Sequence, residues 1–179
     1  MNLACTIEVA LPSAGWTRLC PAAESLARRA AELALARGTT ALGLAWHGAV
    51  ELGITLADDA SQRQLNRDYR GRDKPTNVLA FPVWEPGTRL PSGAPVLLGD
   101  IVLALETVAQ EAADQEKPIG DHLVHLTVHG VLHLLGYDHL TQGEAAAMES
   151  LERSILAELG VADPYCDPMS SIEPAEVQP

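Results

Sequence analysis

The chain reads as a single α+β domain, a small mixed β-sheet packed with about five helices. The order of predicted elements is strand, helix, strand, helix, two strands and then three helices, which groups helices at the end rather than alternating them strictly with strands. One segment, 118–135, is apolar nearly all round, so it belongs in the interior with the sheet packed on it. A length of 179 residues suffices for one core, and no internal repeat or second domain is visible.

Residues 3–10 alternate loosely and carry β-branched side chains, which predicts an opening strand. Residues 21–37 place Leu26, Ala30, Leu33 and Ala34 at helical spacing, with Gly38 as the stop. Residues 49–56 read as a strand. Asp58 or Asp59 caps a helix running to about Tyr69, ended by Gly71. Residues 77–83 are a strand, 86–95 a loop rich in glycine and proline, and 96–103 a strand. A helix follows over about 105–116. Pro118 opens the next, whose charged side chains after Asp121 are only histidines. Thr141 and Glu144 form a T-x-x-E capping box for a last helix to about Leu159, stopped by Gly160. The expected domain is 1–161, and 162–179 is an acidic, proline-rich tail expected to be disordered.

Composition narrows the class. Apolar residues make up 47%, and no apolar run reaches the length of a transmembrane helix, so no membrane partner is expected. The start, Met1 to Cys5, echoes a lipoprotein cleavage site but lacks the preceding basic and apolar segments, so no leader is expected. Cys5, Cys20 and Cys166 are odd in number and far apart, which suits reduced thiols and a cytoplasmic protein. The net charge of −12 argues against broad binding to bare duplexes. Locally, Arg63, Arg67, Arg70, Arg72 and Lys74 gather five of the 12 basic residues, diluted by Asp68 and Asp73. That segment is either a solvated, charge-paired helix face or a phosphate-facing rim.

Chemistry concentrates between His129 and His139. His129 and His133 lie one helical turn apart and project from one face. On an unbroken helix His139 would sit about 15 Å along the axis and about 80° around it. Gly136 removes the obstacle, because glycine ends helices in a left-handed conformation and lets the chain fold back. Two ligands on a helix and a third after a glycine turn predict an open, zincin-like three-histidine site for one Zn2+ ion per chain. The fourth coordination position is left for water or substrate, which suits a hydrolase. Metzincin peptidases share these offsets, but their general base follows the first histidine, and that position here is Gly130.

The run H-G-V-L-H-L-L-G-Y-D-H resembles the signature of the YbeY family of bacterial endoribonucleases and ribosomal RNA maturation factors. Leu65 to Arg70, then Lys74 to Pro82, resembles that family's L-N-x-x-Y/F-R and P-T-[DN]-V-L-S-F-P segments, with Ala80 where serine is commoner. Leu98-Gly99-Asp100-Ile101 resembles its L-G-D-I segment, and the matches span about 56–160. The resemblance implies a zinc-dependent, single-strand-specific endoribonuclease. Its expected work is maturation of the small-subunit ribosomal RNA 3′ end and ribosome quality control, with a ribosomal particle or its proteins as partners.

Arg70 aligns with the family's functional arginine and is expected, with His129, to be catalytic. Its other reading is a salt bridge at a helix end. Arg70, Lys74 and His125 are the expected substrate contacts, Lys74 for flanking phosphates. His125 also reads as a partner behind a ligand or as a core residue. Asp138 either orients a ligand histidine or forms a turn. His122 is expected at the surface, Asp100 to cap structure near the site, and His47 to be structural or exposed. Two alternatives stand beside the nuclease: a zincin-type metallopeptidase or amidohydrolase, which Gly130 disfavours, and a non-catalytic assembly factor stapled by zinc, which the open coordination position disfavours.

Overall fold

The computed structural model describes residues 4–166 and the backbone of residues 176 and 177. In chain order the elements are β1 (Cys5–Ala10), α1 (Ala14–Leu19), α2 (Ala23–Ala41), β2 (Val50–Ala57), α3 (Asp59–Arg70), β3 (Val78–Pro82), β4 (Val96–Ala104), α4 (Leu105–Asp114), α5 (Ile119–Leu134), α6 (Gln142–Leu159) and β5 (Glu176–Val177). The sheet order is β1-β2-β4-β3-β5. β1, β2 and β4 run parallel, β3 is antiparallel to β4, and β5 lies parallel to β3. The α+β class and the mixed sheet are as the sequence predicts. No helix among the described residues is long and apolar enough to cross a membrane.

Side chains alternate across a strand, so the sheet has two distinct faces. Val78, Ala80, Ile101 and Leu103 join the main core on the face that carries α5. Leu79, Val102 and Ala57 form a smaller cluster on the other face, where Leu65 of α3 packs with Phe81. α3 and α5 therefore lie on opposite sides of the sheet. α5 also packs against α2, α4 and α6, and all of it beyond its first three residues is buried. The nearly all-round apolar surface of that segment has the physical consequence expected of it.

Gly130 lets this helix approach the strands. A Cβ there would meet Cγ2 of Ile101 at 3.0 Å and Cγ2 of Val78 at 3.3 Å. The position that carries the general base in metzincins is here a packing contact with the sheet.

Local signals account for most boundaries. Asp58 accepts from the Ser61 N–H at the start of α3, and Gly71 ends that helix at φ 67°. The Thr141–Glu144 capping box is formed in full, and Gly160 closes α6 at φ 76°. Two expectations need correction. Gly38 does not stop α2, which continues to Ala41; the glycine instead opens space for α5, since a Cβ there would meet Leu135 Cδ1 at 2.4 Å. The helix count rises to six because α1, only six residues long, is held by the buried Trp16, whose Nε1–H donates to the Ala57 carbonyl at 2.8 Å. The described chain continues to residue 166, where Asp163 accepts from the Tyr165 N–H at 2.9 Å and the Arg153 guanidinium lies 4.9 Å from the Tyr165 ring centre. Further on, β5 pairs with β3, while 167–175 and 178–179 lie outside the described residues.

Candidate metal centre

The site is built on the C-terminal half of α5 and the turn that follows. Helical spacing puts His129 and His133 on one face, and their rings meet at 83° with centroids 4.5 Å apart. The helix then stops. The Gly136 N–H donates to the His133 carbonyl and the Tyr137 N–H to the Leu132 carbonyl, with Gly136 at φ 88°. That left-handed step turns the chain back, as the sequence predicts. Pro86 lies against it, and a Cβ on Gly136 would meet Pro86 Cγ at 2.5 Å. The reversal stacks the His139 ring parallel to His129 at 6.0 Å and sets it edge-on to His133 at 5.0 Å. One nitrogen from each of the three rings lies within 4.8 Å of the other two.

Proton accounting shows how the nitrogens are presented. A carbonyl oxygen only accepts, so the 2.9 Å contact of His133 Nδ1 with the Tyr137 carbonyl is an Nδ1–H donation. His129 Nδ1 lies 2.6 Å from Oε1 of Glu152 and donates likewise. In the neutral rings both Nε2 atoms are then lone pairs, and they stand 3.0 Å apart. Burial, with repulsion from His129 and His139, pushes the His133 imidazole down to about 3, so its lone pair is present at neutral pH. His139 Nε2 is buried and has no hydrogen-bond partner among the described residues. Three nitrogens so grouped could hold a small divalent cation.

Glu152 is the residue beside the histidine cluster that sequence reasoning missed. It comes from α6, and its side chain is 0% exposed. Oε2 accepts from His125 Nε2 at 3.3 Å and from the Tyr165 hydroxyl. Burial would raise this carboxyl, but its electrostatic and hydrogen-bond interactions with His129 and His125 outweigh that and hold it well below the usual carboxylate range. A signal was present: Met148, Glu152, Ile155 and Leu156 form the buried stripe of α6, and a carboxylate on an apolar stripe requires a partner.

Several expected roles change. His125 is 2% exposed and bonded to Glu152, the position of a residue behind the three-histidine cluster, one of its two other readings. His122 is not at the surface: it is 1% exposed, with Nε2 at 2.7 Å from Glu111, which also takes the Asn77 amide at 3.2 Å. Asp138 serves the turn, its Oδ1 accepting the backbone N–H of His139 at 2.8 Å. Asp100 lies on the sheet face away from α5, its carboxylate over Gly53, and caps nothing near the histidines. His47 is exposed in a loop.

The basic segment is not gathered to the histidines as a block. Arg63 pairs with Asp73 through two contacts of 2.8 Å, and Arg67 with Asp68 at 3.4 Å, so both belong to a charge-paired face. Arg70 is half-buried in the last turn of α3, where burial and the neighbouring Arg72 lower its guanidinium to about 10, still fully charged at neutral pH. Lys74 is exposed in the following loop. That loop leads into β3, whose inner residues Val78 and Ala80 pack with the ligand helix in the main core.

Known proteins share this arrangement of sequence. A family model described as Endoribonuclease YbeY matches residues 22–160. A relative named Endoribonuclease YbeY from Paramagnetospirillum magneticum is 53% identical over 163 residues, spanning 89% of this chain and 96% of its own. Another of that name, from Rhodospirillum rubrum, is 51% identical over 154 residues, spanning 85% and 77%. The solution structure of a Thermotoga maritima protein shares the fold with a TM-score of 0.53 at 22% identity, covering 90% of this chain and 100% of the other. With a match that takes in both the ligand helix and the segment from Leu65 to Pro82, the chain belongs to the Endoribonuclease YbeY family.

Proposed function

We propose that this protein is a zinc-dependent endoribonuclease that cuts single-stranded RNA. Its proposed work is maturation of the small-subunit ribosomal RNA 3′ end and ribosome quality control, in the cytoplasm and on a ribosomal particle. The observation that carries the reading is the convergence of His129, His133 and His139, with the outward nitrogens of His129 and His133 already committed. It is supported by membership of a family whose relatives are named endoribonucleases. Three neutral imidazoles leave a bound divalent ion its full charge and an open position. When bound, such an ion would supply Lewis acidity at a phosphoryl oxygen and acidify the attacking hydroxyl.

The chain's own residues supply the rest. Glu152 and the Tyr137 carbonyl hold two ligand rings in one orientation. Arg70 is the proposed clamp on the phosphodiester, because a planar guanidinium pairs two oxygens as charge builds on them. Lys74 is proposed to meet a flanking phosphate. The peptidase reading loses further ground because position 130 faces Ile101 and Val78 rather than the histidines.

The test is metal content measured beside cleavage of a precursor ribosomal RNA, single-stranded and duplexed. Zinc at one ion per chain with chelator-sensitive cutting of the single strand supports the reading. A metal-free protein that still cuts, or a metal-loaded one that leaves RNA intact, rejects it.

A further inference from the structure

Glu152 and Tyr165 lie outside the three-histidine motif, yet they form the wall behind it. An ionised carboxylate among Met148, Ile155 and Leu156 is heavily penalised unless donors saturate it. Three do. His129 Nδ1–H takes Oε1 at 2.6 Å, while His125 Nε2–H at 3.3 Å and the Tyr165 hydroxyl take Oε2. The shorter ring contact goes to the ligand histidine. Tyr165 is itself held, by Asp163 on its backbone N–H and by Arg153 against its ring. Burial and the Glu152 charge raise the Tyr165 phenol well above its usual range, so it remains a donor.

We propose that Glu152 is the positioning residue for the metal ligand His129, and that the segment after α6 locks it through Tyr165. The C-terminal segment of the domain is then part of the metal centre. The inference rests on the metal reading above. Acceptance by Oε1 fixes the proton of His129 on Nδ1 and turns Nε2 toward His133 and His139. The negative charge behind the ring strengthens Nε2 as a donor to a cation. Two donors on Oε2 keep the carboxylate from rotating away from the ring.

The full-length chain tests this with Glu152→Gln and Tyr165→Phe. Zinc affinity is measured by chelator competition, and the His129 tautomer by nitrogen NMR shifts of the metal-free protein. Glu152→Gln is expected to weaken zinc binding by about 10- to 100-fold and to let the His129 ring sample both tautomers. Tyr165→Phe is expected to shift both in the same direction by less. A carboxylate serving packing alone would change the melting temperature and leave both readouts where they were. Folded variants with wild-type zinc affinity and an unmixed Nδ1–H tautomer overturn the inference. Should Glu152→Gln fail to fold, unchanged affinity in Tyr165→Phe overturns it alone. A wild-type chain that takes up no zinc overturns the metal reading beneath it.

Discussion

The Nε2 atoms of His129 and His133 face each other at 3.0 Å while each ring spends its proton on the far side, at Glu152 and at the Tyr137 carbonyl. Two lone pairs at that distance repel, and a cation between them converts the repulsion into binding. Metal should therefore stabilise the fold as well as equip it. At zinc concentrations about a thousand times the dissociation constant, the gain is about 4 kcal/mol. Thermal melts with and without zinc should differ for the wild type and coincide for His129→Ala and His133→Ala, which should also lose RNA cleavage.

Arg70 separates chemistry from metal. Arg70→Ala should retain zinc stoichiometry and lose cleavage by about 100-fold or more, the usual cost of one charge-stabilising donor. Single-turnover assays with zinc-loaded protein decide the matter. Undiminished cutting would take Arg70 out of the mechanism.

Gly136 ties the turn to the site. Gly136→Ala places a side chain at φ 88° and drives its Cβ into Pro86, so it should cost about 1–3 kcal/mol or more. It should also weaken zinc binding, because the turn carries His139. Gly71→Ala is the control: it too has a positive φ, but open space around its Cβ. Denaturant titrations and zinc competition should show both variants destabilised and only Gly136→Ala impaired in binding.

Acid should unfold the metal-free protein early. His133 titrates near 3 in the folded chain against 6.5 ordinarily, so between those values the unfolded chain holds the extra proton. Stability is full above about pH 6.5 and falls as pH drops through the window, by up to about 1.4 kcal/mol per pH unit. Glu152, whose folded carboxyl is depressed from 4.5, steepens the loss below that value. Urea midpoints in chelator at several pH values from 7.5 to 4 provide the measurement, and a flat series would contradict it.

The sequence made some of this legible and hid the rest for physical reasons. The clustering of His129, His133 and His139, the glycine turn and the Thr141–Glu144 cap are local patterns, readable because helix geometry fixes which residues meet. Glu152 stands 23 residues from His129 and meets it only when α6 packs on α5. His122 looked exposed because it sits near a helix start, and α4 is what brings Glu111 over it. Gly38 looked like a stop, yet its missing side chain serves α5 and not its own helix. The strand order, with β4 between β2 and β3, is likewise set by long-range pairing that no local pattern records.

The enclosure of α5 by the sheet, α2, α4 and α6 governs when the centre comes into being. Synthesis delivers all three imidazoles before it delivers Glu152 and Tyr165. A growing polypeptide thus carries His129 before the carboxylate that contacts its ring exists, and the final helix supplies that partner.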